Sequence, residues 1–224
     1  MIETASSIPG FLIPGAPLTL KITAVSAVAV IGVAIVMALA RESRLVAVRG
    51  AARVYVDVFR SVPLLAMILL VFFGLPVLSP TLRFSGFWCA VIAIGITEGA
   101  YTAEVYRAAL ASVGRPQRDA AASIGLSRTR SYLDVVLPQA VMPAVAPTVN
   151  AVIWIIKDTT LASLIAVNEM TLRATSLINI NAKPLSTYAF LLLLYVVVTI
   201  PLGYLGRFAE RHLGARLDAG SRLR

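Results

Sequence analysis

Five long apolar runs constrain this chain more than any other feature of its sequence. They cover about residues 18–40, 59–78, 84–106, 139–156 and 187–206, and each approaches the ~20 residues with which an α-helix crosses about 30 Å of hydrocarbon. The composition agrees, since 58% of the 224 residues are hydrophobic and only 14% are charged. The sequence therefore predicts an all-α, polytopic membrane protein with five transmembrane helices in a single domain, residues 1–224.

The basic residues predict which helix ends face the cytoplasm, because cytoplasmic loops retain Lys and Arg. Most of them follow the first, third and fifth apolar runs, so we expect the N-terminus outside and the C-terminus in the cytoplasm. The basic residues on the cytoplasmic side can bind anionic lipid headgroups, so this topology accounts for the net charge of +9 and no nucleic-acid partner is needed. The basic residues on the predicted cytoplasmic side are Arg41, Arg44, Arg49, Arg53, Arg107, Arg115, Arg118, Arg128, Arg130, Arg207, Arg211, Arg216, Arg222 and Arg224.

One polar segment, residues 115–138, lies between the third and fourth apolar runs. Pro116 suits a first helical turn, and Gly125 suits the position just after a helix C-terminus. Ser127 can cap a second short helix, which Pro138 is expected to end. Two short helices joined at a glycine predict a compact knob that its arginines keep out of the hydrocarbon. The segment reads Asp119, Ala120, Ala121, three residues, Gly125, nine residues, Val135, one residue, Leu137 and Pro138.

This layout resembles the coupling loop of ABC-importer permeases, written E-A-A-x3-G-x9-I-x-L-P, with Asp119 in place of Glu and Val135 in place of Ile. Three other stretches resemble the polar amino acid branch of that family, the histidine, glutamine or glutamate type. They are FRSVPLLAMILLVFFGLP (59–76), GAYTAEVYRAALASVGRPQ (99–117) and KDTTLASLI (157–165). The resemblance extends from about Pro17 to about Leu213 and implies the type I importer permease fold in a bacterial inner membrane.

The resemblance also implies a function and a set of partners. A permease of this family imports polar amino acids with a second permease chain, identical or homologous, and with an extracytoplasmic solute-binding protein. Its coupling loop inserts into a cytoplasmic ABC ATPase dimer, which binds ATP and Mg²⁺. The residues implied in coupling are Asp119, Ala120, Ala121, Gly125, Leu137 and Pro138.

The residues themselves indicate no catalysis and no cofactor on this chain. A phosphate-binding P-loop needs Gly-Lys followed by Ser or Thr, whereas none of the three lysines follows a glycine. The single histidine, His212, and the single cysteine, Cys89, can form neither a metal cluster nor a catalytic triad with a nearby base. The energy for active transport must therefore come from a partner chain.

Ionisable residues within apolar runs are costly and are therefore candidates for function. Asp57 and Arg60 are three residues apart, as are Glu104 and Arg107, so we interpret both as pairs on one helix face that hold helices in register. Glu98 lies near the middle of its run with Tyr101 on the same face. It can line a polar cavity or pair with Lys157 of the next helix, and the sequence leaves both readings open.

The KDTTL stretch, residues 157–161, opens a polar, hydroxyl-bearing break at membrane depth. Such a break is tolerated only where it lines protein or water. The family resemblance implies that it contributes to a gate and a substrate site, and Asp158 is the best candidate to bind the α-ammonium of an amino acid. The candidate substrate and gate residues are Glu98, Tyr101, Lys157, Asp158, Thr159 and Thr160.

Other functions remain as alternatives. Within the same class, the solute can be an opine, a compatible solute or a sulfur amino acid. A self-contained channel or secondary transporter would need internal repeats and its own ion pathway, and the sequence shows no convincing repeat. A membrane-embedded enzyme would need a clustered nucleophile and base, which the sequence does not supply.

Overall fold

The structure is a computed structural model that describes residues 7–221, with the side chains of residues 7–208. Arg222 and Arg224, counted above among the basic residues, lie outside the described residues, and so does the side chain of His212. The described chain contains helices and no strand, which confirms the prediction of an all-α protein. Its α-helices are α1 (Ile8–Leu12), α2 (Ala16–Arg41), α3 (Val46–Ser61), α4 (Leu64–Leu69), α5 (Leu75–Leu78), α6 (Gly86–Ser112), α7 (Arg115–Ser123), α8 (Arg128–Arg130), α9 (Leu137–Asp158), α10 (Met170–Asn181) and α11 (Pro184–Ser221).

Short segments of other helical geometry connect several of these helices. They are 3-10 turns at Ile13–Gly15, Pro80–Leu82 and Thr159–Ile165 and π-helical turns at Leu70–Gly74 and Ser131–Val136. Four continuous helical stretches are long and apolar enough to cross a membrane, and a fifth is obtained if the bent pair α3 and α4–α5 counts as one span.

The central helix of the fold is α6. Of its most apolar 18-residue window, 61% is buried inside the chain, against 17% for the windows in Arg128–Ile165 and Pro184–Phe208. Helix α2 packs along α6 over the most extensive helix pair of the structure. The contact is close because α6 presents glycine: a Cβ on Gly99 would lie 2.7 Å from Cγ1 of Val33 on α2. Small residues at such crossings let helix backbones approach in a membrane.

The second apolar run, expected over residues 59–78, contains a sharp bend. Helix α3 ends at Ser61, Val62 is extended, and the chain restarts at Leu64 with the two axes 102° apart. Pro63 explains the break, because proline disfavours helical geometry in the residue before it. Helix α3 is fastened to α6 by two tyrosines. The Tyr55 hydroxyl donates to the Ile96 carbonyl at 2.9 Å, and the Tyr101 hydroxyl donates to the Arg60 carbonyl at 2.6 Å.

A buried carboxylate fixes α10 against its neighbours at the opposite end of the bundle from the 115–138 segment. Glu169 is fully buried and accepts a hydrogen bond from the Leu172 amide at 2.9 Å, so it caps the first turn of α10. Hydroxyls of Thr19 on α2 and Tyr195 on α11 each lie 3.4 Å from its Oε2 atom. Burial raises the pKa of Glu169 above its ordinary value, while hydrogen bonds from Thr171, the Leu172 amide and the Tyr195 hydroxyl oppose the shift. Three helices thus converge on one side chain.

We expect Gly99→Ala to destabilise the chain by about 1–3 kcal/mol, because the added methyl group overpacks the contact with Val33. Gly32→Ala is the matched control on α2, since a Cβ there would meet nothing within 4 Å and alanine is the better helix former. Thermal unfolding of both variants in detergent measures the difference. Equal midpoints for the two variants would show that the α2–α6 crossing does not depend on glycine.

Candidate functional site

The 115–138 segment begins with a helix whose two ends follow from its sequence. Helix α7 has Pro116 in its first turn, as predicted. Its last turn closes with hydrogen bonds from the amides of Gly125 to Ala122 at 2.9 Å and of Leu126 to Ala121 at 3.1 Å. Gly125 adopts φ +79°, the left-handed conformation that glycine enters without steric cost. The prediction that Gly125 follows the helix C-terminus is therefore confirmed.

The second half of the segment differs from its prediction. Ser127 caps the next helix by accepting from the Arg130 amide at 3.3 Å, as expected. Pro138 does not end that helix, so the expectation of two short helices was wrong: helical backbone runs without a break from Arg128 to Asp158. The π-helical turn Ser131–Val136 lies immediately before α9 and changes the hydrogen-bond register ahead of Pro138, so the helix continues past a residue that cannot donate a backbone hydrogen bond.

Exposure and position separate the predicted coupling residues into three sets. Asp119, Ala120 and Gly125 are exposed at the tip of the segment. Ala121 is 3% exposed and packs inside the chain, so its side chain cannot line a contact with a partner as the sequence suggested. Leu137 and Pro138 are exposed but belong to the start of α9, apart from the tip.

Sequence reasoning missed one prominent residue of the tip. Ile124, between α7 and Gly125, is 77% exposed. Its exposed aliphatic side chain at the tip makes it a further candidate for contact with a partner. Its place immediately before the glycine at the helix end was a signal that the sequence contained. From here on, the knob denotes residues 119–125, in which Ile124 is the exposed aliphatic side chain.

The knob is attached firmly to the transmembrane helices. The Arg118 guanidinium donates to the Leu110 carbonyl near the end of α6 at 3.0 Å. Val136 and Ala140, which follow the knob, form a buried cluster with Ala38 of α2 and Leu110. A force applied to the knob is therefore transmitted to α2, α6 and α9 together.

Glu104 links the same helices by charge. One carboxylate oxygen accepts from Arg41 at the end of α2, and the other accepts from Nε of Arg107 at 3.0 Å. The predicted Glu104–Arg107 pair is confirmed, and Arg41 extends it to a second helix. The Asp57–Arg60 pair was wrong: among the described side chains Asp57 forms no ion pair. The Arg60 guanidinium instead lies over the Tyr101 ring, 5.3 Å from its centroid.

Two carboxylates meet within the helix bundle. Glu98 on α6 and Asp158 at the end of α9 are both half-buried and close enough for their charges to repel. Lys157 does not neutralise Glu98, because no ion pair joins them among the described side chains and its ammonium lies 4.0 Å from the ring centroid of Trp154. The Lys157 charge does act on Asp158, so the region around Glu98 and Asp158 holds two carboxylates against one partly compensating ammonium, which suits a positively charged group of a ligand.

The remaining predicted gate residues lie around this pair in different settings. Tyr101 is exposed, with its ring under Arg60. The helix changes to 3-10 geometry at Thr159, which confirms the break expected in the KDTTL stretch. Thr159 is fully buried and donates to the Ile156 carbonyl, so it faces the core and not a solute path. Thr160 is half-buried and donates to the Lys157 carbonyl at 2.7 Å.

These features describe a helical, membrane-embedded protein with an exposed knob at one end and two half-buried carboxylates within its bundle. Comparison with known proteins agrees. Residues 30–219 match the family described as binding-protein-dependent transport system inner membrane components. The chain is 31% identical over 201 residues to the probable amino-acid permease protein YxeN of Bacillus subtilis, covering 89% of this chain and 90% of that protein. The chain belongs to this family of ABC-transporter permeases.

Two further relatives and a solved structure support the assignment. The L-cystine transport system permease TcyL of Bacillus subtilis is 33% identical, covering 88% of this chain and 84% of that protein. The glutamine transport system permease GlnP of Escherichia coli K12 is 31% identical, covering 90% of this chain and 92% of that protein. A crystal structure of an amino acid ABC transporter with histidines has a TM-score of 0.84 at 27% identity, covering 90% of this chain and 94% of that chain.

We expect Glu104→Gln to destabilise the chain by about 1.5–3 kcal/mol, because it removes the charge that both arginines share. Asp57→Asn is the control, since it removes a carboxylate that has no ion pair among the described side chains. Unfolding of each variant in detergent, followed by circular dichroism, gives the comparison. A Glu104→Gln midpoint as high as that of Asp57→Asn would mean that the bridge adds nothing to stability.

Proposed function

We propose that this chain is the permease subunit of an ATP-driven importer of polar amino acids in the cytoplasmic membrane of a bacterium. The observation that carries the proposal is the exposed knob, which is attached firmly to the end of the helix bundle. The family match over residues 30–219 supports it. The names of the relatives, which include an amino-acid, a cystine and a glutamine permease, support the substrate class.

The partners follow from the same proposal. Helix α9 and helix α11 leave most of their apolar surface outside the chain, which supports a second permease chain, identical or homologous, beside lipid. The knob docks into a cytoplasmic ABC ATPase dimer that holds ATP and Mg²⁺, and a solute-binding protein delivers the amino acid from outside. This chain itself catalyses no reaction and holds no cofactor.

The proposed orientation places the knob in the cytoplasm and the N-terminus outside. The knob follows α6; Arg107 lies near the end of α6, and Arg115 and Arg118 lie in α7 at the start of the 115–138 segment. Clusters of arginine at helix ends are retained on the cytoplasmic side. The same orientation puts the Glu169 cluster toward the outer face, where the binding protein would dock.

The amino acid itself is held within the bundle. Every amino acid has an α-ammonium, and the half-buried pair Glu98 and Asp158 supplies two carboxylates against one lysine, Lys157, which forms no ion pair with either among the described side chains. Charge-assisted hydrogen bonds to these oxygens would hold that ammonium. Asp158 terminates α9 where the backbone changes geometry, so a shift of α9 alters its position directly.

We expect Gly125→Asp to abolish ATP-coupled uptake while the protein remains inserted and folded. A Cβ at Gly125 would meet nothing within 4 Å, and aspartate is one of the few residues that adopt positive φ, at a strain of about 1–2 kcal/mol, so the new charge disturbs the partner's surface more than this chain. Uptake and ATP hydrolysis are measured in vesicles that contain the chain, its ATPase and a binding protein.

Gly50→Asp provides the matched control, because Gly50 is exposed on α3 and its Cβ would also meet nothing within 4 Å. It should retain uptake. Ile124→Asn is a second coupling variant and should reduce uptake roughly tenfold or more, since it removes the exposed aliphatic apex of the knob. Normal uptake in both Gly125→Asp and Ile124→Asn would remove the coupling role of the knob.

We expect Asp158→Asn and Glu98→Gln each to raise the KM for amino-acid uptake about tenfold or more, because each removes a charged acceptor worth about 1.5–3 kcal/mol. Basal ATP hydrolysis by the assembled transporter should stay unchanged, which separates a substrate site from a folding defect. An unchanged KM in both variants would place the ammonium elsewhere.

A further inference from the structure

A cleft of about 670 Å³ lies between the 115–138 segment and the loop that follows α2. We call it the arginine cleft. Three arginines line it against a single acidic residue, Glu42, and hydroxyls contribute further donors. The polar residues that matter here are Glu42, Arg44, Arg118, Arg128, Thr129 and Tyr132.

Two of these side chains have buried donors that no described residue satisfies. The Nε–H of Arg118 and the hydroxyl of Tyr132 are both buried and have no hydrogen-bond partner among the described residues. The Arg118 guanidinium is held in place by its other bond, to the Leu110 carbonyl at 3.0 Å. A buried polar group without a partner destabilises the folded chain. Such a pair of donors in a cationic cleft is typical of a site for an anion that provides several acceptor oxygens.

Glu42 is the one lining group that opposes an anion. It is exposed and forms no ion pair within the described part of the chain, but its charge acts on Tyr132, as does the opposite charge of Arg118. Arg44, Arg118 and Arg128 outnumber it, and the cleft keeps a net positive charge.

A second, apolar groove of about 550 Å³ adjoins the arginine cleft. The two share Leu39, Tyr132 and Leu133 in their walls. From there the groove continues between α2, α6 and α9, past Ile35 and Val145, within the membrane-spanning part of these helices. A small soluble anion would leave this groove empty, whereas a molecule with an anionic head and a hydrocarbon tail would fill both.

We propose that the arginine cleft and the apolar groove together bind one anionic phospholipid, with its phosphate on Arg118 and Tyr132 and an acyl chain along α9. The lipid completes the hydrogen bonding of the two buried donors. Because the cleft lies between the loop after α2 and the knob segment, the bound lipid also holds the knob against the membrane surface. This proposal depends on the geometry of the chain alone and stands whether or not the transported solute is an amino acid.

The test uses the full-length chain in an uncharged detergent, with bound lipid counted by native mass spectrometry. Phosphatidylglycerol and phosphatidylcholine with the same acyl chains are titrated separately, and inorganic phosphate is added as a competitor. We expect phosphatidylglycerol to bind at least about tenfold more tightly than phosphatidylcholine. Inorganic phosphate at the same concentration should not displace it, because phosphate lacks the tail.

Variants locate the site. Arg118→Gln should weaken phosphatidylglycerol binding about tenfold, and Tyr132→Phe, which keeps the ring and removes only the hydroxyl, should weaken it several-fold. Arg130→Gln is the matched control: it removes one exposed arginine from the same segment that does not line the cleft, and it should bind as the wild-type chain does.

Three results would overturn the proposal. Equal affinity for the two lipids, or equal loss in Arg130→Gln and Arg118→Gln, would mean only diffuse attraction between charges. Displacement by inorganic phosphate would assign the cleft to a free anion. Loss of the bound lipid upon dimerisation of the chain would show that a second copy fills the groove. Tyr132→Phe keeps the test decisive if Arg118→Gln does not fold.

Discussion

Hydrocarbon offers no hydrogen bond to a peptide group, and the rest of this structure depends on that constraint. The backbone therefore stays helical through the apolar runs and departs from α geometry in few places. Pro63 marks one departure, the turn at Thr159 another. Each departure is lined by protein: Tyr101 reaches the Arg60 carbonyl beside the first, and threonine hydroxyls close the helix at the second. The polar residues proposed to meet a solute lie next to these places.

Four of the five predicted spans coincide with long helices, because hydropathy over ~20 residues responds directly to the thickness of a bilayer. The exception is α3, Val46–Ser61, which lies mostly before the run predicted at 59–78, because its arginines and Asp57 lower its hydropathy. Helix ends with chemical signals were predictable too, as Pro116, Gly125 and Ser127 show. Pro138 misled the interpretation because its effect depends on the hydrogen-bond register before it. A single π-helical turn shifts that register, and residue types alone do not reveal it.

Side-chain partners across helices were much harder to predict. Spacing along one helix correctly paired Glu104 with Arg107, but it could not reveal Arg41, which comes from another helix. The same spacing failed for Asp57 and Arg60, since the Tyr101 ring offers the guanidinium a competing site. Ala121 shows the general difficulty: whether a small residue faces a partner or the core depends on how its helix is rotated, and in α7 it faces the core.

The unbroken helical path from Arg128 to Asp158 has a mechanical consequence. At 1.5 Å per residue, its 31 residues make a rod about 45 Å long. One end of this helix adjoins the knob, and the other end carries Asp158, whose charge acts on Glu98. Such a helix can tilt as one piece, so a displacement at one end moves the other end. The prolines at 143 and 147 remove backbone hydrogen bonds along it, so it can also bend at these positions while it stays helical. The protein thus contains a lever whose two ends are chemically different.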